Sequence, residues 1–172
     1  MKSVPDAGFT MMEAVFALGI VAVGLLSLLA AFAQGMTMLA SSQPDFIAKE
    51  KAAEAIESVY AARDTHVLSW AQLQNVANNG VFLDGPQPLR DPGPDGLINT
   101  GDDGELQRVV SPGPDNLLGT ADDVWTPLDG YTRDIRIRDE ALNIRRLTVT
   151  VTYRIGSLTR QYVVTTLISS FA

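Results

Sequence analysis

The chain has 172 residues, a formal net charge of -7 at pH 7 and no cysteine. That length fits one membrane segment plus one modest domain. Disulfide staples and thiolate chemistry are excluded, and a pI near 4.6 is a poor match for nucleic acid, whose phosphates call for Lys and Arg patches.

Residues 1–8 are short and polar, with Lys2 and Asp6. From Ala14 to Phe32 the chain carries no charge. At about 1.5 Å per residue, a helix from Phe9 to Phe32 crosses a hydrocarbon core of roughly 30 Å. One acid, Glu13, sits at its head. A carboxylate in a membrane helix costs about 2.5–3.5 kcal/mol at the helix centre and less near the interface, so it calls for a partner. Gly19, Gly24 and Gly35 are the weak points of this helix before Pro44.

Gly8-Phe9-Thr10-Met11-Met12-Glu13 at the head of an apolar helix resembles the type IV prepilin signature. The resemblance implies cleavage between Gly8 and Phe9 by a prepilin peptidase, N-methylation of Phe9, and a Glu13 that, as fifth mature residue, meets the N-terminal amine of a neighbouring pilin or pseudopilin subunit. In a low-dielectric fibre core such an amine and carboxylate compensate each other. Ile20-Val21-Ala22-Val23-Gly24-Leu25-Leu26 is similar to a run in the PilV-like minor pilins. The implied fold is α+β and pilin-like, a long N-terminal helix packed by its second half against a C-terminal antiparallel sheet. The implied life history begins in the inner membrane, in contact with the lipid bilayer and an assembly platform and with the head in the periplasm. It ends in a pilus or pseudopilus fibre. Two other readings fit the same residues. Ala14–Leu29 can be the apolar region of a secretory signal with Ala31-Phe32-Ala33 as its cleavage site, or the helix can be a plain single-pass anchor.

Gln34 to Ser42 is small and polar and continues the helix out of the membrane, and Pro44 predicts a kink. From Phe46 to Ala62 the pattern is helical. Ile47, Ala48, Ala52, Ala55, Ile56, Val59 and Tyr60 form a stripe, while Glu50, Lys51, Glu54, Glu57 and Arg63 fill the other face. Between Thr65 and Gly80, Ser69 and Gln72 suggest a capping box, Trp70, Leu73, Val76 and Ala77 share one side, and Asn79-Gly80 is a stop. A short surface helix is expected there. His66 is the only histidine, which argues against zinc.

Val81 to Pro127 is rich in Gly, Pro, Asp and Asn and holds an internal repeat. Pro92-Gly93-Pro94-Asp95-Gly96-Leu97-Ile98-Asn99-Thr100-Gly101-Asp102-Asp103 aligns with Pro112-Gly113-Pro114-Asp115-Asn116-Leu117-Leu118-Gly119-Thr120-Ala121-Asp122-Asp123. Calcium takes six to eight oxygens from carboxylates, backbone carbonyls and water. The candidate ligands are Asp95, Asp102 and Asp103 in the first copy and Asp115, Asp122 and Asp123 in the second, with the Leu118 carbonyl. The plainer reading is a pair of solvated acidic turns. The second copy, followed by Trp125, resembles the calcium loop of the major pseudopilin of type II secretion. That resemblance implies bound Ca2+ and leaves pilus and secretion fibre both open.

From Tyr131 the chain alternates. Ile135 and Ile137 oppose Arg136 and Arg138, and Leu147, Val149, Val151 and Tyr153 oppose Thr148, Thr150 and Thr152. Asp139 to Asn143 links the first two strands, Ile155-Gly156-Ser157-Leu158 turns the chain, and Thr159 to Ser169 runs back. An antiparallel meander is expected, burying one face against the stripe at Ala48–Val59. The expected division is leader 1–8, membrane or fibre-core helix 9–33, amphipathic half 34–64, connecting region 65–130 and meander 131–172. No nucleophile elbow, phosphate-binding Gly-Lys loop or Cys/His pair points to an enzyme. A structural fibre subunit is the leading expectation, and a membrane-anchored, calcium-dependent binding or adhesion module is the alternative.

Overall fold

The structure is a computed structural model that describes residues 8–171. The expected leader, apart from Gly8, lies outside the described residues. The chain divides into two compact units at Ser42/Gln43.

Helix α1 runs from Met11 to Asp64, with Pro44 inside it. Thr10 starts it: the backbone N–H of Glu13 donates to Thr10 Oγ1 at 3.2 Å, satisfying one of the orphan donors of the first turn. In the first unit the helix is long and apolar enough, by length and composition, to cross a membrane. Its large apolar side chains from Met11 to Leu39 are all more than half exposed. Burying such a surface needs a bilayer or other chains.

The second unit has its own core. Ala48, Ala52, Ala55, Val59 and Ala62 form the buried stripe of α1, with Ile56 and Tyr60 packed at its edge. The small stripe brings the sheet close. Against it lie Ile135 and Ile137 of strand β4 (Thr132–Ala141), Leu147, Val149, Val151 and Tyr153 of β5 (Ile144–Ile155), and Ile168 of β6 (Leu158–Ser169). The expected meander and its burial against the helix are thus present. The sheet is antiparallel, in the order β1-β4-β5-β6, where β1 is the two-residue strand Gln87–Pro88. Gly156, at φ 59°, lets a two-residue turn join β5 to β6.

Two expectations need correction. Residues 65–80 form no α-helix. Only a 3-10 turn, Val76–Asn78, is present, and Val76 and Ala77 are exposed. The capping box does form, with Ser69 N donating to Gln72 Oε1 at 3.0 Å. Helix growth stops because Asn75 is extended and its side chain is taken by β4: Nδ2 donates to the Ile135 carbonyl at 2.7 Å and Oδ1 accepts from Ile137 N at 2.8 Å. β4 runs on to Ala141 with an irregularity after Asp139, so Leu142-Asn143 alone makes the link. The connecting region contributes structure of its own: β1, and a hairpin of β2 (Arg108–Ser111) with β3 (Val124–Pro127) that carries the second loop copy between its strands.

Candidate functional site

The N-terminal candidates are all exposed. A Cβ added to Gly8 would meet nothing within 4 Å, Phe9 is 84% exposed, and Glu13 makes no ion pair among the described residues. Glu13 sits in the first turn of α1, where the positive end of the helix dipole favours a carboxylate. The structure leaves this carboxylate open to a partner.

The two loop copies share one local structure. Asp95 Oδ1 accepts from Leu97 N, and Asp115 Oδ1 from Leu117 N, both at 2.8 Å. Asp103 Oδ2 accepts from Asn99 N at 2.9 Å, and Asp123 Oδ2 from Gly119 N at 2.7 Å. Thr100 and Thr120 donate their hydroxyls to Asp102 Oδ1 and Asp122 Oδ1 at 2.8 and 2.6 Å. Each copy needs two left-handed residues and fills them from the same two types in opposite order: Gly96 and Asn99 in the first, Asn116 and Gly119 in the second. Gly93 and Gly113 are fixed by close approach, since a Cβ there would fall 2.5 and 2.3 Å from the backbone oxygens of Asp102 and Asp122.

The surroundings differ. Copy one is docked. Leu97, Ile98, Asn99 and Thr100 are buried, and Asn99 Oδ1 accepts from Nε of the fully buried Arg133 at 3.0 Å. Burial pushes the Arg133 pKa down, and Glu54 and Asp103 oppose that shift. Arg133 Nη1 also reaches the Lys51 carbonyl at 3.4 Å, so one guanidinium ties helix, loop and sheet together. Copy two stands out from the core, with Leu117 and Leu118 exposed.

Of the proposed ligands in the second copy, Asp122 and Asp123 both accept from Thr120, and the backbone N of Asp115 donates to Asp122 Oδ2 at 3.3 Å. The hydroxyl bond from Thr120 holds the Asp122 carboxyl below its ordinary range. Asp123 Oδ1 is enclosed and accepts no hydrogen bond among the described residues, whereas its counterpart Asp103 Oδ1 takes both Thr100 N and Thr100 Oγ1. Asp95, Asp102 and Asp103 likewise serve their own loop as acceptors. Among the described residues no group of three carboxylate or imidazole side chains is arranged to hold a metal. The oxygen-only donor set is the kind that hard cations take, and the enclosed, unpartnered Asp123 oxygen fits such a role. His66 is exposed, in a left-handed turn at φ 57°.

Thr10, Arg133 and Asn75 are important residues that sequence reasoning missed. Arg133 had a signal: it is in phase with Ile135 and Ile137 on the core face of β4. No protein-family model matches the chain, and no curated protein or solved structure matches it.

Proposed function

We propose that this chain is a structural subunit, a minor pilin or pseudopilin, of a type IV pilus or type II secretion fibre. A prepilin peptidase cuts it after Gly8, Phe9 becomes the methylated N-terminus, and an inner-membrane platform assembles it with other pilin-like subunits while its head faces the periplasm. The observation that carries the reading is Glu13: a carboxylate without an ion pair among the described residues, at the head of the uncharged run Ala14–Phe32, whose large apolar side chains all lie open. A neighbour's N-terminal amine neutralises it, and neighbouring helices bury the rest. The role is not catalytic. We further propose that the second loop takes calcium through Asp122 and Asp123, with Asp115 and the Leu118 carbonyl beside them. The first loop, through Asp95, Asp102 and Asp103, is the weaker candidate, because Asp103 Oδ1 already accepts from Thr100 whereas Asp123 Oδ1 has no hydrogen-bond partner among the described residues.

Glu13→Ala tests the assembly role. Glu13 belongs to the first unit and the second unit has a core of its own, so the head stays folded and membrane insertion is retained. Incorporation of this chain into fibres falls. Normal incorporation of the inserted variant removes Glu13 from the account.

A further inference from the structure

The exposed loop copy carries an apolar tip. Leu117 and Leu118 are 61% and 62% exposed. In the docked copy the residues equivalent to Leu117 and Leu118 are Leu97 and Ile98, at 4% and 1%. The same loop therefore covers its apolar pair where a surface is offered, and the second copy has none. Around the tip are the carboxylates of Asp115, Asp122 and Asp123.

A surface of complementary character lies elsewhere on the same chain. The outer face of the sheet presents Arg136, Arg138, Arg146 and Arg154, all exposed, in a protein whose net charge is negative. Arg136 pairs with Asp134 and Arg146 with Glu140, but Arg138 and Arg154 have no ion pair among the described residues. Between the arginines, threonines line β5, and the register sets Val163 beside Thr150 and Leu167 beside Arg146. Val163 and Leu167 are 54% and 57% exposed, and β6 is an edge strand. Strands β2 and β3 contact each other and none of β4, β5 and β6, so the tip and the arginine face are separate surfaces.

We propose that the acidic, apolar tip of one copy docks on the arginine-bearing outer sheet face of a second copy, with Leu117 and Leu118 against Val163 and Leu167. Both halves of the match are carried by this chain, which is why the occupant is another copy of it. Opposite charge fixes register and speeds encounter, while the apolar centre is removed from water. The contact is heterologous, so each docked copy still offers a free tip and a free face, and heads add in a row. It goes beyond the assembly reading, because it needs neither cleavage at Gly8 nor Glu13.

The absence of native cysteine allows a direct test. Full-length Leu118→Cys and Val163→Cys chains with different tags are reconstituted together in liposomes, in chelator, and oxidised. Mixed dimers carrying both tags form, and each variant alone gives few. Arg138→Glu with Arg154→Glu on the Val163→Cys chain lowers the mixed product by about tenfold or more, and so does high salt. Absence of mixed dimers, equal dimer from Leu118→Cys alone, or indifference to charge reversal overturns the proposal. Using chelator keeps this result separate from any failure of the calcium reading, and adding Glu13→Ala to both chains keeps it separate from assembly through the helices.

Discussion

Arg133 Nε donates to Asn99 Oδ1 at 3.0 Å, and both residues are 0% exposed. A guanidinium in that position is held by the loop as much as by the sheet. Its other contacts are the Lys51 carbonyl and, at 3.8 Å, Glu54 of α1. Arg133→Ala leaves these acceptors buried or half-buried without their donor and opens a cavity. The expected cost is on the order of 3 kcal/mol. Asn99→Gly installs the residue found at the matching site of the second copy. It keeps the left-handed backbone and loses the acceptor, at about 1–3 kcal/mol. Heat melting of the full-length chain reads both. An Arg133→Ala melt equal to wild type contradicts the role of this residue as the tie between helix, loop and sheet.

The hydrogen bond from Tyr153 Oη to Asp45 Oδ1, 2.6 Å long, also joins helix to sheet. Burial, and then the bond to Asp45, push the Tyr153 pKa from 10.0 up to about 12. Tyr131, stacked on Tyr153 with centroids 5.7 Å apart, is raised too, first by burial and then by Asp45. A folded pKa above the unfolded one means that the folded state favours the neutral phenol. The contribution is full below pH 10 and is lost as pH climbs to about 12. Tyr153→Phe therefore costs about 1 kcal/mol at neutral pH and weakens the fall in stability above pH 10. Parallel melting curves across that range for both proteins contradict this linkage.

Much of the second unit was legible because its signals are periodic. Leu147, Val149, Val151 and Tyr153 alternate with threonines, and Ala48, Ala52, Ala55 and Val59 recur at helical steps, so both buried faces follow from side-chain direction alone. What failed depends on contacts remote in sequence. Leu73 and Trp70 suggest a helix, but Asn75 bonds to residues sixty positions away and holds the backbone extended. Arg133 and Arg145 sit in core phase, yet a charge reads as surface until its partners are known. Arg145 is buried by reaching the carbonyls of Trp70 and Leu73, and by lying 4.2 Å from the Trp70 ring centroid. In the candidate loops, the repeat showed that the copies match. That one copy is docked and the other free follows only from where the chain carries them.

Calcium makes separable predictions for the two loops. Binding to the folded form alone adds about 2.7 kcal/mol at a hundredfold excess over Kd. The full-length chain then melts higher in millimolar-range calcium than in chelator, and magnesium substitutes poorly because it holds its waters and a tight octahedron. Asp122→Ala with Asp123→Ala abolishes most of this rise, and Asp102→Ala with Asp103→Ala a smaller part. Gly113→Ala also removes it, because its Cβ would sit 2.3 Å from the Asp122 oxygen, and it lowers the melt in chelator only a little, because copy two stands out from the core. Gly93→Ala lowers the melt in chelator as well, because its loop buries Leu97 and Ile98. Identical melting in calcium and chelator, with no heat of binding, makes both loops acidic turns.

In the proposed subunit Gly8-Phe9 is a cleavage point and the helix behind it a fibre core. Mass spectrometry of the N-terminus, on chain taken from the envelope of the cells that make it, tests this most directly. The expected chain begins at Phe9 and carries one N-methyl group. A chain that keeps Met1, as a plain anchor would, or begins at Gln34, as a cleaved secretory signal would leave it, rules out processing at Gly8.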